Sequence, residues 1–159
     1  MQVTIRPLQE QDAYTSVKWR NDPEVFKYTG NTYDHEITID SELAWIRKVM
    51  ANHNDYRCAI LADEEYVGNI YLTDIGGGSA TYHIFIGDKN YWGKSIAREA
   101  SRQIIDYGFK ELNLDKIVLE VKKLNESAVK LYQSLGFTRT RSDGEWIHMI
   151  ICKECFIKK

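Results

Sequence analysis

The chain has 159 residues, 43% hydrophobic and 28% charged, with a formal net charge of -2 at pH 7. These values fit one globular domain spanning 1–159, and the lack of a basic excess argues against nucleic acid or an anionic membrane as partner. Residues 1–20 carry Arg6, Glu10, Asp12, Lys18 and Arg20 and leave no apolar span of secretory or membrane-crossing length, so the expected compartment is the cytoplasm.

In chain order, Val3, Ile5 and Pro7 alternate with polar residues as a short strand, and the stretch from Gln9 to Arg20 suits a helix containing Ala13, Val17 and Trp19. Asn21-Asp22-Pro23 interrupts it. Asp22 as cap with Pro23 behind it predicts a short helix over Glu24–Tyr28, followed by a loop over Thr29–Asp34. Ile39, Leu43, Ile46 and Met50 then recur at helical spacing behind Thr38, a candidate N-cap, in a helix ending near Asn52. Arg57–Ala62 and Tyr66–Asp74 read as a hairpin turning at Asp63-Glu64-Glu65, and three glycines at 76–78 predict a flexible connection into the strand Ala80–Ile86.

The following segment, Trp92 to Asn113, reads as the longest helical stretch, opened by a loop holding Gly93 and Ser95. Strand, small-residue loop and helix in that order make an anion site. The first helical turn leaves backbone N-H groups without intrahelical partners and carries the positive end of the macrodipole. Close packing explains a glycine in such a turn equally well, so spacing alone leaves both readings open. Lys116–Val121 is a compact β-branched run predicted to be buried on both faces. Asn125–Leu135 is helical with Gly136 as a left-handed cap, and Phe137–Thr140 and Trp146–Cys155 are strands joined at Ser142-Asp143-Gly144. The result is a mixed α/β (α+β) arrangement.

Cys58, Cys152 and Cys155 are odd in number and predict reduced thiols. Cys152 and Cys155 have the spacing of half a metal clip, but the chain offers no second half, so no metal is expected.

The run Asn125-Glu-Ser-Ala128-Val-Lys-Leu-Tyr132-Gln-Ser-Leu-Gly136-Phe137 resembles the N-x-x-A-x-x-x-Y-x-x-x-G-F motif of the GNAT acetyltransferases. In that superfamily the preceding loop reads approximately Q/R-x-x-G-x-G/A; here Asn90 and Ser95 depart from it while Gly93 keeps it. Lys18-Trp-Arg-Asn-Asp-Pro-Glu-Val25 is similar to the early segment of the ribosomal-protein (alanine) N-acetyltransferase branch.

The resemblance implies a mostly antiparallel central sheet flanked by helices, and acetyl-CoA as cosubstrate in a splay between the strand ending at Ile86 and the strand Ile117–Val121. Backbone groups along Ile84, Phe85 and Ile86 would meet the pantetheine arm. The amides of Trp92, Gly93, Lys94, Ser95, Ile96 and Ala97 would meet the pyrophosphate. Asn125 and Ala128 would border the arm, and Lys130 is a candidate for the 3'-phosphate or a solvated surface lysine.

Direct transfer of an acetyl group needs a neutral amine, a polarised thioester and an acid for the departing thiolate. Tyr132 is the implied acid. Many members of the branch carry a Glu near the position of Thr81; with none there, His83 and Glu120 are the candidate bases. Arg20 and Tyr28 are candidates on the acceptor side, where eight acidic against four basic residues between Met1 and Trp45 favour a cationic substrate. The acceptor is a protein N-terminus or a small amine. The alternatives are an amino sugar carried on a nucleotide, with Arg20 serving its phosphates, or a non-catalytic coenzyme-A sensor. An edge strand near the C-terminus leaves a homodimer open.

Overall fold

Four strands run as an antiparallel meander in the computed structural model, which describes residues 1–25 and 35–157. They are β1 (Val3–Pro7), β2 (Tyr56–Ala62), β3 (Glu65–Gly76) and β4 (Ser79–Ile86). Both hairpins turn on two residues in the left-handed region, Asp63 and Glu64 in the first, Gly77 and Gly78 in the second. Two successive positive φ values match the twist of the flanking strands. The connection at 76–78 is therefore a tight turn rather than the flexible link expected from its glycines.

The helix expected from Gln9 divides in two. A 3-10 turn at Glu10–Asp12 leads into α1 (Ala13–Arg20). The buried Asp12 carboxylate accepts from both Arg6 guanidinium nitrogens, at 2.8 and 2.9 Å, and from the Gln9 amide at 2.8 Å, anchoring the turn to β1. Asp22 accepts from the Glu24 amide in the turn that follows; the predicted helix Glu24–Tyr28 and loop Thr29–Asp34 lie largely outside the described residues. Helix α2 (Ile39–Met50) starts at Thr38, whose hydroxyl accepts from the Ser41 amide at 3.1 Å. Glu42, 1% exposed, ties α2 to α1 by accepting from the Ser16 hydroxyl and from Arg20 Nε, each at 2.8 Å.

The second half supplies α3 (Ile96–Lys110), β5 (Lys116–Lys122), α4 (Glu126–Leu135), β6 (Thr138–Asp143), β7 (Trp146–Cys152) and the short α5 (Lys153–Ile157). Helix α3 begins at Ile96, later than the periodicity from Trp92 predicts. Gly93 and Ser95 have φ of 74° and 63°, which breaks the helical path. The last strand ends at Cys152 rather than Cys155. There the chain turns into α5, with the Lys153 amide donating to Asp115 and Phe156 packing on Phe109.

Strand order across the one sheet is β1-β2-β3-β4-β5-β7-β6, antiparallel at every step except the parallel β4–β5 pair that α3 connects. Ile96, Ala100, Ile104 and Phe109 of α3 pack with Ile70, Leu72 and Ile117 on one face of the sheet. On the other face Ala59, Tyr71 and Leu8 cluster with Trp45 of α2. β5 is not buried on both faces as its composition predicts. Ile117, Leu119 and Val121 point into the core while Glu120 is exposed, because the opposite face borders a cavity. No helix among the described residues is long and apolar enough to cross a membrane.

Two stability outcomes follow. Glu42→Ala strips the mostly buried Arg20 of its carboxylate and Ser16 of its acceptor, and should lower unfolding free energy by about 3 kcal/mol in urea titration. Ser95→Gly relieves a left-handed side chain and should raise the urea midpoint by the equivalent of about 0.5–1 kcal/mol.

Candidate active site

The parallel pair β4–β5 is held over only three positions, Ser79 with Lys116, Ala80 with Ile117 and Thr81 with Val118. Beyond them the strands part. Among the described residues, Tyr82–Ile86 and Leu119–Lys122 have no strand partner on their facing edges, and a cavity of about 1220 Å³ passes between them. That volume exceeds the usual range of about 300–1,000 Å³ for a single small ligand, so it has room for two substrates.

One end of the cavity is the N-terminus of α3. Asp88 caps a 3-10 turn at Lys89–Tyr91 by accepting from the Asn90 amide, and the chain then bends through Gly93 and Ser95. A Cβ at Gly93 would meet nothing within 4 Å, so a ligand has clear approach to the backbone there. Ser95 gives no side-chain cap, which leaves the first-turn amides of α3 facing the cavity without a partner from it. With the macrodipole behind them, they fit a diphosphate. Lys94 lies over the Tyr91 ring at this end. The indole N-H of Trp92 donates to the carbonyl of Ile86 at 2.8 Å, so one of the backbone groups expected for the pantetheine arm already has a partner. Ile84 and Phe85 line the cavity beside it.

The far wall is α4. Asn125 accepts at Oδ1 from the Ala128 amide, so its oxygen caps the helix while the residue borders the cavity together with Ala128. Lys130 sits on the exposed face of α4 and does not line the cavity. Tyr132 does line it, one turn deeper, with its ring edge-on to Tyr82 at 5.5 Å. Burial pushes its phenol well above the ordinary value, only partly offset by the Tyr82 hydroxyl, so the group carries its proton at neutral pH.

Both candidate bases lie on the opposite face of the sheet. His83 on β4 has Nε2 3.0 Å from the Thr73 hydroxyl, and its pKa lies below the usual 6.5 because cavity walls displace water from around it and Arg57 is near. The ring is still reached by solvent, so it is a neutral, accessible proton acceptor. Glu120 on β5 stands across the splay, 3.3 Å from Nδ1 of His148 on β7. Thr81, in place of a family Glu, borders a second cavity of about 400 Å³ that shares His83 and Glu120.

The remaining wall carries Arg20, whose guanidinium lies 3.9 Å from the Trp45 ring centroid, and Arg57, which pairs with Asp55 at 3.0 Å and lies 4.5 Å from the Tyr71 centroid. Arg20 thus lines the cavity, held by Glu42; Tyr28 lies outside the described residues. Arg57, Asp74, Trp45 and His148 were not singled out from sequence. The one local signal among them was Arg57, a charged residue beginning an apolar strand. Among the described residues no cluster of three or more His, Cys, Asp or Glu could hold a metal ion.

The sequence model of the Acetyltransferase (GNAT) domain matches residues 2–138. The chain is 32% identical over 148 residues to the uncharacterized N-acetyltransferase p20 of Bacillus licheniformis, covering 86% of this chain and 79% of the relative. It is 31% identical over 149 residues to the spermidine N(1)-acetyltransferase of Escherichia coli K12, covering 92% and 76%. Among solved structures it resembles the spermidine N-acetyltransferase of Vibrio cholerae in complex with CoA and spermine, with a TM-score of 0.87, 25% identity and 98% of each chain covered. The splayed parallel pair, the uncapped amides of α3 and a family match over most of the chain converge: this protein belongs to the GNAT family and is an acetyl-CoA-dependent N-acetyltransferase.

Proposed function

We propose that the protein acetylates a primary amine of a small cationic molecule of the di- or polyamine class, by direct transfer from acetyl-CoA. The observation that carries this reading is the charge balance of the acceptor wall. Arg20 is matched by Glu42 and Arg57 by Asp55, so neither cation stands unopposed. Asp74 and Glu120 add negative charge facing the cavity, the sign that holds an ammonium. The likeness to spermidine acetyltransferases supports the same class.

Such an amine arrives protonated. With a lysine-like pKa of about 10.4, only about one molecule in 2,500 is neutral at pH 7, so a base matters more than for an α-amine of pKa about 8. Glu120 and His83 face the acceptor side of the splay and are the proposed proton acceptors. The freed nitrogen attacks the thioester carbonyl, the C–N bond forms, and a backbone N-H of β4 on the parted edge stabilises the developing oxyanion. The C–S bond then breaks, the Tyr132 hydroxyl gives its proton to sulfur, and the second proton of the acylated nitrogen passes through water to restore the phenol, leaving a neutral amide, free thiol and the first proton on the base. On the cofactor side, Gly93 to Ala97 take the pyrophosphate and Asn125 with Ile84 the pantetheine amides.

A second reading has one observation in its favour: the two guanidiniums and the Trp45 indole form a layered surface that suits a nucleotide-linked amino sugar. Thiol release from acetyl-CoA, measured with spermidine, diamines, nucleotide-linked amino sugars and peptides with free N-termini, separates the classes. Turnover is expected with the polyamines. Turnover confined to amino sugars or peptides overturns the proposal, and coenzyme A binding without turnover on any amine would leave a sensor.

Two substitutions test the assigned roles. Asp74→Asn should raise KM for the amine about tenfold with kcat nearly unchanged, the signature of lost uniform binding. Tyr132→Phe should lower kcat by about 100-fold while the dissociation constant of coenzyme A, measured by calorimetry, stays within about twofold. Full activity in that variant would remove Tyr132 from the chemistry.

A further inference from the structure

We infer that His148 on β7 is a positioning residue for the Glu120 carboxylate, presenting it to the incoming amine; this rests on the acetyl-transfer reading above. Glu120 and His148 are directly opposed in the antiparallel β5–β7 register. Their chain neighbours Leu119, Val121, Ile147 and Met149 are all buried toward the core, so both side chains stand on the opposite face of the sheet. His148 Nδ1 lies 3.3 Å from Glu120 Oε1. That separation is an ion-pair contact, looser than a formed hydrogen bond, and catalytic pairs are often this loose before substrate closes on them.

The burial of the two side chains is unequal. Glu120 is 58% exposed and lines both cavities, whereas His148 is 16% exposed and borders only the second. The carboxylate therefore faces the amine while the imidazole lies behind it. Nε2 of His148 is buried without a hydrogen-bond partner. A hydrogen on that nitrogen would be an unsatisfied buried donor, so the tautomer carrying its hydrogen on Nδ1 is the one whose donor has an acceptor, namely Glu120. Thr140 fixes the backbone behind it by donating its hydroxyl to the His148 carbonyl at 3.2 Å. An exposed glutamate on a strand otherwise samples several rotamers. A ring of restricted orientation beside one carboxylate oxygen narrows those choices while the residue lines the larger cavity.

The test combines kinetics with a measurement that needs no turnover. His148→Leu removes the donor, and should lower kcat about tenfold with KM for acetyl-CoA unchanged. His148→Asn keeps an N-H near the Nδ1 position and should recover most of that loss. In a Glu120→Gln background, His148→Leu should cost little more, because the group it positions has already lost its charge. Equal loss in the Leu and Asn variants, or losses that multiply with Glu120→Gln, overturns the inference in favour of a packing role.

Two-bond 1H–15N spectra of the wild-type ring should show the Nδ1–H tautomer, and Glu120→Ala should convert it to a mixture. A ring carrying its hydrogen on Nε2 also overturns the inference. If the wild-type enzyme acetylated no amine at all, the transfer reading would fail while these spectra still decided whether His148 presents its Nδ1–H to Glu120.

Discussion

The structure depends on the failure of two parallel strands to stay paired. β4 and β5 are joined for three positions and then separate, although both continue, in a part of the sheet where the side chains on one face are buried. Backbone donors and acceptors left unpaired so near a core cost free energy unless something else satisfies them. A ligand with amides of its own answers that cost, so one irregularity creates the cavity and supplies its polar lining. The crossover helix makes the same point, because a parallel connection carries the chain out of the sheet and returns it beside β4, placing the N-terminus of α3 at the mouth of the gap.

That N-terminus is kept open at some expense. Ser95 adopts a left-handed conformation without capping the helix it precedes, and Gly93 is left-handed as well. A well-capped start would be more stable but would spend the amides that an anion needs. Asn125 shows the contrasting solution at α4, where the side-chain oxygen accepts from the Ala128 amide and closes the helix start. The two helix ends that border the cavity are built on opposite principles, one open and one capped.

The cavity wall that carries Arg20 and Arg57 is governed by pairing of charge. Arginines alone on this wall would favour an anion, but Glu42 and Asp55 hold them, and they serve as stiff supports for Trp45 and Tyr71. The carboxylates left facing the cavity then set its sign. Glu120 is a useful case, since it stands between apolar neighbours in β5. It is the point at which the strand turns one side chain to a wet face while Leu119 and Val121 stay in the core.

Local pattern was enough for most of the elements. Alternation marked the first strand and apolar runs between polar turns marked inner ones, Thr38 and Asn125 marked helix starts, and Gly136 marked a helix end, all through interactions within a few residues. The same locality, through the motif from Asn125 to Phe137, pointed to the family. Errors arose where backbone conformation broke a pattern that composition continued, as at Gly93 and Ser95 ahead of α3, or where burial on one face was invisible in a β-branched run, as in β5. Arg57, Asp74 and His148 could be placed only by the tertiary structure. Their meaning comes from groups distant in the chain, Trp45 beside Arg57 and Glu120 opposite His148, and contacts of that kind leave no trace in periodicity or spacing.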